Sequence, residues 1–187
     1  MNKTITNKQL TVVLFDSRSS SAKCYYCVFY IQAANHLLFL FEVNFSVNKK
    51  IMYPEYLVAP MREDLTRVGF EELKDADAVK HAIESEGTVF VMVNSVCGCA
   101  AANARPAARI AAANEKHPDK LVTVFAGMEK EAVDAARNYM LPYPPSSPAM
   151  ALFKDGKLVH IIERHQIEGR PAQMIADNLI GAFEQYC

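Results

Sequence analysis

Between Glu71 and Glu86, Leu73, Ala76, Val79, Ala82 and Ile83 recur at helical spacing with charged positions between them, which predicts an amphipathic helix ended by Gly87. Thr88–Asn94 then reads Thr-Val-Phe-Val-Met-Val-Asn, apolar without alternation, the pattern of a strand buried on both faces. After Ser95 and Val96 come Cys97 and an alanine-rich stretch to about Lys116. This predicts a long helix, kinked by Pro106 and stopped by His117-Pro118. Leu121–Ala126 repeats the buried-strand pattern, and Glu129–Met140 is a second amphipathic helix with an acidic first turn. Pro142, Pro144, Pro145 and Pro148 remove backbone donors and fix φ, so that stretch is expected to be irregular. Ala149–Lys154 and Lys157–Ile162 flank Asp155-Gly156, the signal for a two-residue type I′ hairpin. Pro171 opens a last helix, Ala172–Tyr186, with Met174, Ile175, Leu179, Ile180 and Phe183 along one face. Ahead of all this, Met52–Pro60 reads as an extended lead and Arg62–Arg67 as a short helical turn. The order from Glu71 is α-β-α-β-α-β-β-α, with parallel crossovers first and an antiparallel hairpin last. It predicts an α/β fold with a central mixed sheet and helices on both faces.

Residues 1–51 are a different kind of sequence. All 7 glycines and all 9 prolines of the 187-residue chain lie beyond them, yet they hold 8 of its 18 Phe and Tyr residues. At ordinary usage about six Gly and Pro would fall in such a stretch, so turn chemistry is missing. Its net charge is +4 against -5 for the remainder. From Cys24 to Phe41 there are 18 residues without a formal charge, close to the length of a membrane span. Gln32, Asn35 and His36 in its middle make spanning expensive, and the small-residue cleavage site of a secretory signal is missing. The simplest expectation is that Met52 is the native start. Residues 1–51 would then be an upstream extension outside the fold and 52–187 the domain, with an accessory segment or a membrane anchor as the alternatives.

An overall net charge of -1 leaves no broad basic surface for a phosphate backbone, which argues against nucleic acid as a partner. Five cysteines are too sparse for a stapled secreted fold, and their odd number leaves a free thiol, so a reducing, cytoplasmic setting is expected. Cys97-Gly98-Cys99 stands where an apolar strand hands over to a helix. The free N–H groups and dipole of a helix start favour a thiolate there. A second thiol two residues on can attack a mixed disulfide formed at the first, although the Cys-x-Cys ring is small and its bridge easily reduced; Gly98 relieves part of the crowding. Two competing readings are small buried hydrophobes and half of a soft-metal site. His160 and His165 have the spacing of a zinc pair but an unusual mounting, on and just after a strand, and the pair Cys97 and Cys99 is closer than usual zinc spacing. Cys24-Tyr-Tyr-Cys27 matches a redox spacing without the strand-to-helix setting. No bound cofactor or metal is expected.

Ser147-Pro148, directly before a strand, is a candidate cis peptide whose backbone can face a neighbouring active loop and pair with an extended substrate. Together with the strand ending near Cys97, the helix containing Pro106, and the run Ala149-Met-Ala-Leu-Phe-Lys-Asp-Gly-Lys-Leu-Val159, it resembles a thioredoxin fold. Met52-Tyr-Pro-Glu-Tyr-Leu, the Cys-Gly-Cys centre and the terminal Ala182-Phe-Glu-Gln-Tyr-Cys187 resemble, more closely, the bacilliredoxin family. Val96 stands where typical thioredoxins have Trp, and the cysteine spacer is one residue instead of two. The resemblance covers residues 52–187. It implies a thiol–disulfide oxidoreductase that removes bacillithiol from S-bacillithiolated client proteins, with disulfide isomerase or reductase activity as related chemistry and bacillithiol as the small-thiol co-substrate. It implies Cys97 as the attacking nucleophile and Cys99 as the second active-centre thiol, with Gly98, Ser147 and Pro148 facing the substrate; Cys187, at the family's C-terminal position, is a candidate resolving thiol, the alternative being an incidental terminal cysteine.

Overall fold

The computed structural model describes residues 53–187 and three strands nearer the N-terminus: β1 (Leu10–Asp16), β2 (Tyr25–Ile31) and β3 (Phe41–Asn44). The chain divides into two units between Lys50 and Ile51. In the first unit the three strands form an antiparallel sheet in the order β1-β2-β3, with Val13 opposite Val28 and Cys27 opposite Val43. Because Tyr25–Ile31 is a strand, the uncharged run is not one continuous helix. Cys24, Gln32, Asn35, His36 and residues 37–40, on which the anchor and redox-spacing readings also rested, lie outside the described residues. Among the described residues no helix is long and apolar enough to cross a membrane.

The second unit is built on a mixed five-stranded sheet in the order β4-β6-β5-β7-β8. β4 (Glu71–Glu72), β5 (Thr88–Asn94) and β6 (Lys120–Phe125) run parallel, while β7 (Ala149–Lys154) lies antiparallel to β5 and β8 (Lys157–Ile162) antiparallel to β7. Every residue of β5 is buried, as its unbroken apolar run requires. Alternate side chains divide between two cores. Phe90, Met92, Met150 and Leu152 meet α3 (Arg105–Ala112) and α6 (Ala172–Tyr186), whereas Val89, Val91, Val93, Val122 and Val124 meet α2 (Ala76–Ile83) and α4 (Lys130–Tyr139). This is the α/β arrangement expected from the element order, a central mixed sheet with helices on both faces, and the thioredoxin-like fold that the resemblance implied. The hairpin between β7 and β8 turns at Asp155 (φ 50°) and Gly156 (φ 76°), the paired positive angles of a type I′ turn.

Several boundaries differ from the sequence expectation, each for a local reason. The lead before Glu71 is a helix, α1 (Glu55–Thr66), because Val58, Arg62 and Leu65 share one buried face. Pro60 is tolerated inside it, at a turn whose Tyr56 is 82% exposed, where water can take the carbonyl that loses a donor. The helix expected from Glu71 starts at Ala76, since Asp75 accepts the Ala78 N–H at 2.8 Å as a cap. Glu71 and Glu72 instead add a short strand beside Val122 and Thr123. Pro106 does not simply kink one long helix. The turn before it, Ala100–Ala104, opens into π geometry, so that the Arg105 N–H reaches the carbonyl of Ala100 and α3 continues only to Ala112. A four-residue helix, α5 (Arg164–Ile167), is held by the reciprocal caps of Glu163 and Gln166 and was not foreseen.

Candidate active site

The register places two loops at one end of the sheet. Val93 of β5 lies opposite Ala149 of β7, so the segment leaving β5, Ser95-Val96-Cys97, and the segment entering β7, Ser147-Pro148, are neighbours at the same edge. The Ser147-Pro148 bond is cis, as expected, and Leu141-Pro142 is a second cis bond. Pro148 is buried and Ser147 half-buried, while the Ser146 hydroxyl accepts a hydrogen bond from the Arg164 N–H at 3.4 Å.

Cys97 is half-buried, Gly98 exposed and Cys99 buried, with 9% of its surface accessible. The two sulfurs are joined in a disulfide, with Cα atoms 5.5 Å apart. The Ala100 N–H points to Cys97 Sγ at 3.3 Å and to the Cys97 carbonyl at 3.1 Å, and the Ala101 N–H reaches the same carbonyl at 3.2 Å. The two contacts to the carbonyl close the first turn, and the Ala100 N–H is the helix-start donor that also reaches the sulfur, at the strand-to-helix position. The Ser95 hydroxyl adds a contact to Cys97 Sγ at 3.2 Å. An alanine Cβ built on Gly98 would meet nothing within 4 Å, so an incoming disulfide has open approach across the spacer.

Behind the loop lies a polar network. Asn94, fully buried, donates through Nδ2 to the Met61 carbonyl (3.1 Å) and accepts from the Ser95 N–H (2.8 Å). Arg105 Nη1 reaches both Asn94 Oδ1 (3.3 Å) and the Ser95 carbonyl (3.2 Å), and Nε reaches Asp64 Oδ2 at 3.0 Å. A second cationic anchor, Arg62, donates to Glu72 (2.9 Å) and Glu129 (2.6 Å) and lies 5.1 Å from the Phe125 ring centre. Glu55 Oε1 is 3.1 Å from its Nε without the alignment of a hydrogen bond. Burial pulls the Arg62 value down, but the hydrogen bonds and charge of Glu129 and Glu72 outweigh it and hold the guanidinium above its usual range. Val96 packs over Val58, Phe125 and Met128 in the small apolar cluster beside this anchor.

Cys187 is not part of this constellation. Its thiol lies beside Thr88 and near Asp119, Lys116 and Lys154, and burial pushes it above the usual thiol range. Thr88 is the first residue of β5 and Cys97 follows the last, so Cys187 stands at the opposite end of the sheet. The expectation of Cys187 as a resolving thiol for Cys97 within one chain is therefore corrected. α6 runs back along the sheet and delivers its C-terminus to the far edge. His160 Nε2 pairs with Asn178 Oδ1 at 2.8 Å, and His165 Nδ1 lies 4.0 Å from Glu163. Among the described residues no three His, Cys, Asp or Glu side chains group to hold a metal ion.

Asn94, Ser95, Arg105 and Asp64 were not singled out in the sequence. Two signals were present: a polar residue closing an otherwise apolar buried strand, and an arginine set among alanines on a helix that has to pack against the sheet.

The family model described as "Disulphide isomerase" matches residues 53–187. A bacilliredoxin of Cytophaga hutchinsonii is 55% identical over 134 residues, covering 72% of this chain and 99% of its own. A bacilliredoxin of Halalkalibacterium halodurans is 52% identical over 136 residues, covering 72% and 94%. Among solved structures, the thioredoxin of Trypanosoma brucei brucei superposes with a TM-score of 0.46 at 16% identity, over 62% of this chain and 92% of that one. With identity above half across nearly the full length of these two relatives, the chain belongs to the bacilliredoxin family and is a thiol–disulfide oxidoreductase.

Proposed function

We propose that the chain removes bacillithiol from S-bacillithiolated client proteins in a reducing, cytoplasmic setting, with free bacillithiol as the small-thiol co-substrate. The observation that carries this reading is the division between the two sulfurs: Cys97 half-buried with two donors directed at it, Cys99 buried behind it. The Cys97 thiolate attacks the bacillithiol sulfur of the client's mixed disulfide. That S–S bond breaks, the client cysteine leaves as a thiolate and takes a proton, and bacillithiol is now joined to Cys97. The Cys99 thiolate then attacks Cys97 Sγ, expelling bacillithiol and forming the Cys97–Cys99 disulfide; alternatively a second bacillithiol attacks the bound one and leaves as its symmetric disulfide with Cys97 regenerated. Gly98 leaves the approach open. Ser147 and Pro148, on the neighbouring loop, offer backbone to an extended client segment. The same pair can exchange with protein disulfides, which is the isomerase chemistry in the family's description and, with a reducing co-substrate thiol, reductase chemistry.

The test compares Cys97→Ser and Cys99→Ala on one S-bacillithiolated protein and one protein disulfide, following release by intact mass. Cys97→Ser should lose both activities. Cys99→Ala should keep the first transfer, since one nucleophile suffices, and lose more on the protein disulfide. Full activity of Cys97→Ser, or equal loss in both variants on the mixed disulfide, overturns the assignment. The soft-metal alternative requires further ligands beside Cys97 and Cys99. It is checked by metal content of the purified protein with and without chelator, where stoichiometric metal and no trapped client in Cys99→Ala would favour it.

A further inference from the structure

We infer that Ser95 is a catalytic residue of the thiol centre and that Arg105 is the positioning residue that aims it. In the disulfide state Cys97 Sγ carries no proton, so the hydrogen shared across the 3.2 Å Oγ–Sγ contact belongs to the Ser95 hydroxyl. That donor is directed at the nucleophilic sulfur. When the disulfide is reduced, the same hydroxyl and the Ala100 N–H both bond a thiolate, and hydrogen bonds to a charged acceptor are the stronger kind. The Ser95 hydroxyl thus stabilises Cys97 as attacking thiolate and again as leaving group, without giving up its proton.

The direction of the hydroxyl depends on a backbone fixed on both sides. The Ser95 N–H is taken by Asn94 Oδ1 at 2.8 Å and its carbonyl by Arg105 Nη1 at 3.2 Å. The Asn94 amide is oriented by its partners: Nδ2 faces the Met61 carbonyl, and Oδ1 faces two donors, one of them Arg105 Nη1. Arg105, with 5% of its side chain exposed, is in turn held through Nε by Asp64 of α1, the charged group it pairs with. A guanidinium can span these sites because its donors diverge in a rigid plane; an ammonium keeps the charge but cannot hold Asp64, Asn94 and the Ser95 carbonyl in the same geometry. The network therefore joins α1, β5 and α3 at the one residue whose hydroxyl touches the reactive sulfur.

This inference rests on Cys97 as the nucleophile and is independent of which small thiol is used. The experiment measures iodoacetamide alkylation of Cys97 against pH in the reduced full-length protein, read on the Cys97 peptide by mass spectrometry. No bacillithiolated substrate enters, so a failure of the de-bacillithiolation reading does not affect the result. Ser95→Ala should move the alkylation midpoint up by about one pH unit, the worth of one hydrogen bond to a charged group, which is about a tenfold slower reaction below the midpoint. Ser95→Thr, which keeps a hydroxyl, should restore most of it. Arg105→Lys should move the midpoint the same way by less, and should add nothing in the Ser95→Ala background. Asp64→Asn, at a half-exposed position, gives the same paired reading if Arg105→Lys does not fold. An unchanged midpoint in Ser95→Ala overturns the catalytic assignment. A shift from Arg105→Lys or Asp64→Asn that persists in full without the Ser95 hydroxyl overturns the positioning role.

Discussion

Replacing Cys187 with serine should leave bacillithiol removal intact, because the geometry separates it from Cys97 by the whole length of the sheet. β5 has seven residues, Thr88–Asn94, and at about 3.3 Å per residue its ends are about 20 Å apart. The Cys187 thiol lies against Thr88 at one end, and Cys97 lies three residues past Asn94 at the other. A disulfide requires Cα atoms within about 7 Å, so α6 would have to leave the sheet before the two sulfurs meet. Undocking α6 exposes the buried side chains Ile175, Leu179 and Phe183, and at about 1.5–3 kcal/mol per side chain this costs at least about 5 kcal/mol. Fewer than about one molecule in a few thousand would be open at any moment. The assay is single-turnover release of bacillithiol from a modified protein by the native chain and by Cys187→Ser, with rates expected to agree within about twofold, a surface-like effect. A tenfold loss, or a Cys97–Cys187 linked peptide in a non-reducing digest of monomeric protein, would refute the reasoning.

Three further outcomes follow from the packing around β5. Phe90→Ala should lower the unfolding free energy by about 3–5 kcal/mol in urea titration, since its ring is fully buried and meets Phe70 and Phe183 edge-on at 5.7 and 5.5 Å. Gly87→Ala should destabilise by about 1–3 kcal/mol by the same measure, because φ there is +90° and the new Cβ would come within 2.6 Å of an Asp119 carboxylate oxygen. Asp119 is held below the usual carboxylate range, first by the Thr88 N–H and then by the Thr88 hydroxyl. Its folded value is depressed, so its contribution is present above the ordinary carboxylate value and lost as pH falls through the depressed one. The stability gap between the native chain and Asp119→Asn, read from urea midpoints, should accordingly be larger at pH 7 than well below pH 4, a carboxylate's ordinary value; an equal gap at both would show that the charge is not used.

Much of the domain is determined by local pattern. Thr88–Asn94 could be assigned from its unbroken apolar run, the β7–β8 hairpin from Asp155-Gly156, and the last helix from Pro171 and its apolar face, because strand burial, turn angles and helix faces are properties of short segments. The thiol centre was visible for the same reason: a strand-to-helix junction places helix donors on whatever residue stands there, here Cys97. What no local pattern contains is the partner of a side chain distant in sequence. Glu71 and Glu72 read as helix and became strand because β6 offers an edge. The π turn at Ala100–Ala104 depends on seating α3 against the sheet while accommodating Pro106. Arg105 meets Asp64, 41 residues away, and Asn94, 11 residues away, only once α1 and α3 have docked. Cys187, which family position makes look like a third active thiol, is sent to the far end of the sheet by the length and direction of α6. Chemistry attached to a backbone position can be read from the chain; chemistry that needs two side chains to meet is decided by packing, since contact depends on where whole elements come to rest.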